Sequence, residues 1–120
     1  MIQRIKSRHI RAFTLIEMMI VILVIGILLS IAVPQWLHAR ENSRSTSCVS
    51  NLKRITDAKE LFAHESNMNT GDNCSMSDLW PDYLQGSNAP ACPAGGTYTV
   101  DLIGSDPTCS YVSALFPHIL

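Results

Sequence analysis

The sequence predicts an α+β fold: one long N-terminal α-helix followed by a small C-terminal head built on an antiparallel β-hairpin or sheet. Three observations carry that expectation. Residues 18–33 form a charge-free aliphatic block broken only by Gly26 and Ser30. Residues 48–62 then repeat apolar side chains at helical spacing, and residues 97–102 alternate before a Gly-Ser-Asp-Pro turn. With 47% hydrophobic and 16% charged residues among 120, the chain is too apolar for disorder and too lightly charged for an ordinary soluble domain. Without the aliphatic block, the remainder is too small and polar to bury a sizeable core. A self-contained soluble enzyme is not expected.

The first element is basic. Residues 1–12 carry Arg4, Lys6, Arg8 and Arg11 with no acid. From Phe13 the apolar run reaches Val33, about 31 Å as a helix and close to the roughly 30 Å hydrocarbon thickness of a bilayer. Bases on its N-terminal side hold that end in the cytoplasm. Such a pair of runs reads as a cleaved secretory signal, a retained membrane anchor or a buried core helix, and length disfavours the last. Ser30-Ile31-Ala32 offers a signal-peptidase site after Ala32, although the apolar run exceeds the usual 7–15 or so residues of a signal. Glu17 is the sharper clue. A carboxylate inside a membrane segment costs up to about 2.5–3.5 kcal/mol at mid-bilayer, and the same helix supplies no nearby cation. Either a second chain provides the partner or the side chain snorkels to headgroup depth.

Pro34 removes a backbone donor just after the block, so a helix kink is expected over Gly26 and Pro34. Beyond it, Cys48, Leu52, Ile55 and Phe62 share one helix face, with Val49 and Ala58 beside them. Arg44, Lys53, Arg54, Asp57 and Glu60 lie mostly away from its centre. This amphipathic continuation, residues 34–66, is expected to end near Asn67, where turn formers crowd.

Residues 67–120 make the head. Within it, residues 75–84 predict a short helix ended by Pro81, its Leu79, Trp80, Tyr83 and Leu84 packing on the long helix. Residues 97–102 predict a strand with Tyr98, Val100 and Leu102 on one face, and 108–112 the returning strand. From residue 60 onward there is no Lys or Arg against seven acids, which disfavours nucleic-acid binding by this half.

None of the four cysteines, Cys48, Cys74, Cys92 and Cys109, has C-x-x-C spacing, so no zinc ribbon or thioredoxin-type site is suggested. Cys92 and Cys109 bracket the hairpin and are the preferred disulfide, contributing roughly 3 kcal/mol for a loop of that length. Cys48, on the apolar stripe, reads as a buried free thiol; Cys74 stays open. His9, His38, His64 and His118 default to surface or packing roles. No nucleophile-elbow, metal-ligand or nucleotide-binding spacing is present, and Asp101 and Asp106 at the hairpin lack a D-x-D-x-D-G calcium pattern. No catalytic residue, cofactor or metal is therefore expected.

Ala12-Phe13-Thr14-Leu15-Ile16-Glu17, behind a basic leader and ahead of a long apolar helix, resembles the processing site of type IV pilins and type II secretion pseudopilins. Ala12 departs from the glycine most common there. The resemblance implies a pilin-like fold in which leader 1–12 is cut by a prepilin peptidase between Ala12 and Phe13. It implies N-methylation of the new Phe13 amine, and a Glu17 carboxylate that meets the amine of a neighbouring subunit. It also implies that residues 13–33 form the transmembrane and filament-core helix, with helicity lost between Gly26 and Pro34 on assembly. The implied partners are further copies of the chain in a helical filament, an assembly platform and a separate ATPase motor. The implied location is the inner membrane, N terminus in the cytoplasm, before assembly into an extracellular or periplasmic fibre. The region from Cys92 to Ser110 resembles the C-terminal hairpin of some bacterial pilin-like proteins. The expected function is a structural subunit of a type IV pilus or pilus-like fibre, with a major pseudopilin of type II secretion as alternative. A second alternative is a small secreted disulfide-bonded domain behind a signal cleaved after Ala32.

Overall fold

The computed structural model describes residues 13–120. The leader, with its proposed cleavage residue Ala12, lies outside the described residues. Four elements follow in order: helix α1 (Leu15–Glu65), helix α2 (Met76–Leu79), strand β1 (Tyr98–Thr99) and strand β2 (Thr108–Cys109). The chain divides into two compact units, one ending at Trp36 and the other spanning Leu37–Leu120.

In the first unit every described residue of α1 is solvent-exposed. The helix continues through Pro34 without interruption. A proline within the helix withholds the amide that the carbonyl four residues back, here Ser30, would otherwise accept.

In the second unit α1 becomes one-sided. Ser45, Cys48, Leu52, Ile55, Ala58 and Lys59 are buried, at the three- and four-residue spacing of one helix face. The stripe expected from Cys48 through Ile55 and Ala58 is there, with Phe62 and Val49 half-buried beside it. α1 ends in a Schellman motif. Asn67 takes φ +50°, and the amide of Met68 donates back to the Ala63 carbonyl at 2.9 Å. Asparagine tolerates that left-handed position better than most residues.

Helix α2 is shorter than expected and stops before Pro81. Its start is held by Asp78, whose carboxylate accepts from the Ser75 amide at 2.9 Å and the Ser75 hydroxyl at 2.6 Å. Leu79 and Leu84 then pack with Ile55, Ala58 and Val100, and Phe62, Met76, Trp80, Tyr83 and Tyr98 surround that core. Phe62 and Tyr83 meet edge to face at 5.5 Å, while the Tyr83 hydroxyl donates to Glu65 at 2.7 Å. This is the packing on the long helix that the sequence predicts.

The hairpin is shorter than its alternating pattern suggests. Tyr98 pairs with Cys109 and Thr99 with Thr108, antiparallel. Val100 is buried as expected, but Leu102 is exposed and Ile103 takes its place inside. The cause is Asp101, which adopts φ +58° and breaks the two-residue alternation, shifting the inward position by one. Ile103 is then fixed by two backbone bonds of 2.9 Å to the 71–72 loop. Gly104 closes this turn against Thr70, whose Cγ2 lies 2.6 Å from where a Cβ would stand. That approach excludes a larger residue.

Beneath the turn sits the one buried cation among the described residues. Lys59 is 3% exposed, and its ammonium donates to the carbonyls of Val100 at 2.6 Å and of Leu102 and Ser105 at 2.8 Å each. The turn therefore folds around a side chain of α1. Burial pulls the Lys59 pKa down from 10.5, partly opposed by Cys74, Asp101 and Asp106.

Candidate functional site

Two features stand out, one in each unit. In the first unit the Thr14 hydroxyl accepts the Glu17 amide at 3.3 Å and the Thr14 carbonyl accepts the Met18 amide at 3.4 Å. Thr14 is thus the N-cap and Glu17 the third helical residue, a threonine-x-x-glutamate start that satisfies one of the free amides there. Phe13 is 72% exposed ahead of the cap. Glu17 is exposed among aliphatic neighbours with no ion pair among the described residues.

The helix that follows is apolar on every side. Its most hydrophobic window has a mean hydropathy of 2.9 with no part of it buried, which makes it long and apolar enough to cross a membrane. Gly26 leaves a shallow apolar dent between Ile22, Leu23, Ile27 and Ser30, with no other atom within 4 Å of its missing Cβ. The Ser30 hydroxyl donates to the Ile27 carbonyl at 2.7 Å, so its polar group is satisfied inside the helix, as a lipid environment requires.

The second unit holds all four cysteines, Cys48 among them as the buried free thiol expected from the apolar stripe. All four carry free thiols, so the Cys92–Cys109 disulfide is not formed here. Those two residues are brought together, but within a larger group. The sulfurs of Cys48, Cys92 and Cys109 and a ring nitrogen of His118 all lie within 4.8 Å of one another. Cys48, Cys92 and His118 are buried and Cys109 is half-buried. Leu52, Ala94, Tyr98 and Tyr111 close around the sulfurs.

Each member is placed by a different part of the chain. Cys48 comes from the buried stripe of α1, Cys109 from β2 and His118 from the C-terminal tail. Ser45 secures that tail by donating to the Pro117 carbonyl at 2.8 Å, and Tyr111 lies against the His118 ring at 4.7 Å. The Tyr111 hydroxyl donates in turn to Glu41 of α1 at 3.0 Å. The Cys92 loop turns back on itself: Gly95 takes φ +88°, and its amide donates to the Cys92 carbonyl at 2.9 Å. Gly96 is required by close approach, since an added Cβ would lie 2.8 Å from both the Cys109 sulfur and the Tyr111 Cβ.

The sulfurs are electrostatically unlike. Burial, together with Cys109 and Cys92, pushes Cys48 up to about 12, against the Tyr98 hydroxyl, which lowers it. Burial also opposes ionisation of Cys92. There the Ala94 and Gly96 amides, with His118 and Cys109, outweigh it and bring the thiol down to about 7.

The intervals separating Cys48, Cys92, Cys109 and His118 give no reason to group them, and His118 defaults to a surface or packing role. One local signal was available: Cys92-Pro93-Ala94-Gly95-Gly96 is a tight turn that folds back onto its own leading cysteine. Lys59, charged and set in a helical stripe, gave no sign that it would be buried.

The chain is thus defined by an uncovered apolar helix with a single carboxylate, Glu17, near its Thr14-capped start, joined to a small cysteine-containing α+β unit. The family model for the prokaryotic N-terminal methylation motif matches residues 7–33. The chain is 42% identical to the type IV major pilin protein PilA of Myxococcus xanthus over 55 residues, 46% of this chain and 25% of the relative. It is 26% identical to the type IV wide pilus major component PilA4 of Thermus thermophilus over 102 residues, covering 85% and 72%. It is 31% identical to the type II secretion system core protein G of Aeromonas hydrophila over 62 residues, covering 52% and 43%. The chain spans about a quarter of the Myxococcus relative and under half of the Aeromonas one. No solved structure matches the chain. The chain therefore carries the N-terminal methylation motif and resembles type IV major pilins and type II secretion core proteins, in keeping with the resemblance read from residues 12–17.

Proposed function

We propose that the chain is a structural, non-enzymatic subunit of a helical filament of the type IV pilus class. A prepilin peptidase cuts between Ala12 and Phe13, the Phe13 amine is methylated, and residues 13–33 hold the subunit in the inner membrane until assembly. The single observation that carries this reading is the α1 surface of the first unit: apolar on all sides, wholly uncovered, with one carboxylate at its third helical position. Such a helix cannot rest in water, because each exposed Leu or Ile side chain forgoes about 1.5–3 kcal/mol of burial. It rests in lipid, or against other copies of itself, and moves between the two without crossing water. In the second setting the Phe13 amine of a neighbour offsets the cost of the Glu17 carboxylate. An assembly platform and a separate motor ATPase supply the work of extraction. Gly26 and Pro34 mark where the helix yields during packing.

The similarity to core protein G favours a second reading, a major pseudopilin of a type II secretion system. Intact-mass and N-terminal analysis of the chain in sheared surface fibres and in the cell envelope tests both. Abundant protein beginning at N-methylated Phe13 in the sheared fibres supports the pilus. The same form confined to the envelope supports the pseudopilin. A soluble product beginning at Val33 overturns both in favour of a secreted domain.

A further inference from the structure

The Cys48, Cys92, Cys109 and His118 group has the composition and spacing of a closed metal centre. A single tetrahedral zinc, bound at about 2.3 Å by sulfur and about 2.0–2.1 Å by nitrogen, holds neighbouring sulfurs about 3.8 Å apart and sulfur and nitrogen about 3.5 Å apart. Here all four ligand atoms fall within 4.8 Å of one another, and the Cys92 sulfur stands 3.7 Å from His118 Nδ1. A disulfide joins only two sulfurs, at about 2.05 Å. It would leave the third thiol and the imidazole buried beside it without a role.

The surroundings are those of an oriented metal site. Outer partners that hydrogen-bond to metal ligands fix their geometry and tune their basicity. The Cys92 loop folds back on itself through the Gly95 amide, which donates to the Cys92 carbonyl at 2.9 Å, and Tyr98 and Tyr111 pack against the sulfurs. Tyr98 is itself oriented by Asn51, whose amide donates to the phenolic oxygen at 3.2 Å. His118 presents Nδ1 to the sulfurs, while its Nε2 is buried without a hydrogen-bond partner. The ring is positioned by Tyr111, 4.7 Å away, and by the Ser45 bond to the adjoining Pro117 carbonyl. Gly96 admits the Cys109 sulfur to the group, and half-buried Cys109 leaves a path of entry.

We propose that Cys48, Cys92, Cys109 and His118 bind one soft divalent cation, best matched by zinc, as a closed structural site joining α1, the Cys92 loop, β2 and the C-terminal tail. Three sulfurs and one imidazole nitrogen in a tetrahedral set select zinc over calcium or magnesium, which take oxygen ligands. Binding releases the thiol protons to solvent as thiolate–metal bonds form, with no change of redox state. The site's role is structural because four protein ligands leave no position for water or substrate.

The test uses the full chain, extracted in detergent without chelator, with metal measured by mass spectrometry and thiols by intact mass. The expected result is about one zinc per chain with no disulfide, a stoichiometry that C74S preserves and C109S and H118A reduce at least tenfold. Because a ligand variant could fail to fold, cobalt(II) is also titrated into wild-type chain that has been reduced and stripped of metal. Intense visible bands of tetrahedral thiolate-bound cobalt, displaced by zinc, support the site. A chain that holds no zinc and develops no such bands overturns it. So does a mass short by two hydrogens with the bridge mapped between any two of Cys48, Cys92 and Cys109. None of these readouts depends on filament assembly.

Discussion

Lys59→Met tests the buried cation under the hairpin turn. Methionine keeps most of the apolar stem and removes the ammonium, so packing on α1 is nearly retained. Three carbonyls lose their donor: Val100, whose contact is buried, and Leu102 and Ser105, whose contacts are partly buried. An orphaned buried carbonyl costs about 1–3 kcal/mol, and each partly buried one about half that, since water reaches it. The variant recovers part of this by no longer desolvating a charge. The balance is a loss of about 2–4 kcal/mol, a large share of the roughly 5–15 kcal/mol that holds a typical domain. With a urea slope of about 2 kcal/mol per molar, the midpoint falls by about 1–2 M. The assay is urea unfolding of the full chain in detergent, followed by near-ultraviolet circular dichroism. An unchanged midpoint would refute the idea that the ammonium organises the turn. The difference between wild type and variant also carries a pH signature. Burial holds the folded-state pKa of Lys59 below 10.5, so the unfolded chain binds more protons between that value and 10.5. Its titration therefore makes stability rise with pH across that window, and the contribution is lost as pH falls through the folded value. The variant lacks this slope.

Other outcomes follow from the same geometry. Ile103→Ala should cost about 2–4 kcal/mol, while Leu102→Ala should stay within about 0.5–1 kcal/mol; equal losses in denaturation would put the Asp101 register shift in error. Gly96→Ala drives a Cβ into the Cys109 sulfur and Tyr111, and should lower stability by about 1–3 kcal/mol, read as an earlier thermal transition. Hydrogen bonds from the Ser75 hydroxyl and amide hold Asp78 below 3.8, so its contribution at α2 is present above 3.8 and lost as pH falls through the folded value. Amide exchange at residues 75–79 should therefore accelerate in acid, and D78N should remove that pH dependence; an unchanged profile would count against the cap. Glu17→Gln removes the charge that seeks a neighbour's amine, so processed subunits should accumulate in the membrane and sheared fibres should diminish, while fibre yields equal to wild type would sink that pairing.

The apolar segment and the register of α1 were legible in the sequence because both are one-dimensional properties. Hydropathy over residues 13–33 and the spacing of Cys48, Leu52, Ile55 and Ala58 survive any tertiary arrangement, since the helix repeat alone decides which side chains share a face. The motif at residues 12–17 was legible for another reason: it is a contiguous stretch of sequence, and the matching family model covers it within residues 7–33. The head was legible only in outline. Leu79, Leu84 and Val100 were assigned to the core from local pattern, and the core confirms them. Ile103 was not, because one left-handed residue, Asp101, reversed the alternation. Lys59 could not be read as buried, since its burial depends on three carbonyls from residues 100–105 converging on one ammonium. The grouping of Cys48, Cys92, Cys109 and His118 belongs to the same class. By itself the sequence determined what must stay out of water, and therefore the long helix and its uncovered face. Only the tertiary structure decided which polar and sulfur atoms meet in the head, because those contacts join residues far apart in the chain through loop conformations that no local pattern encodes.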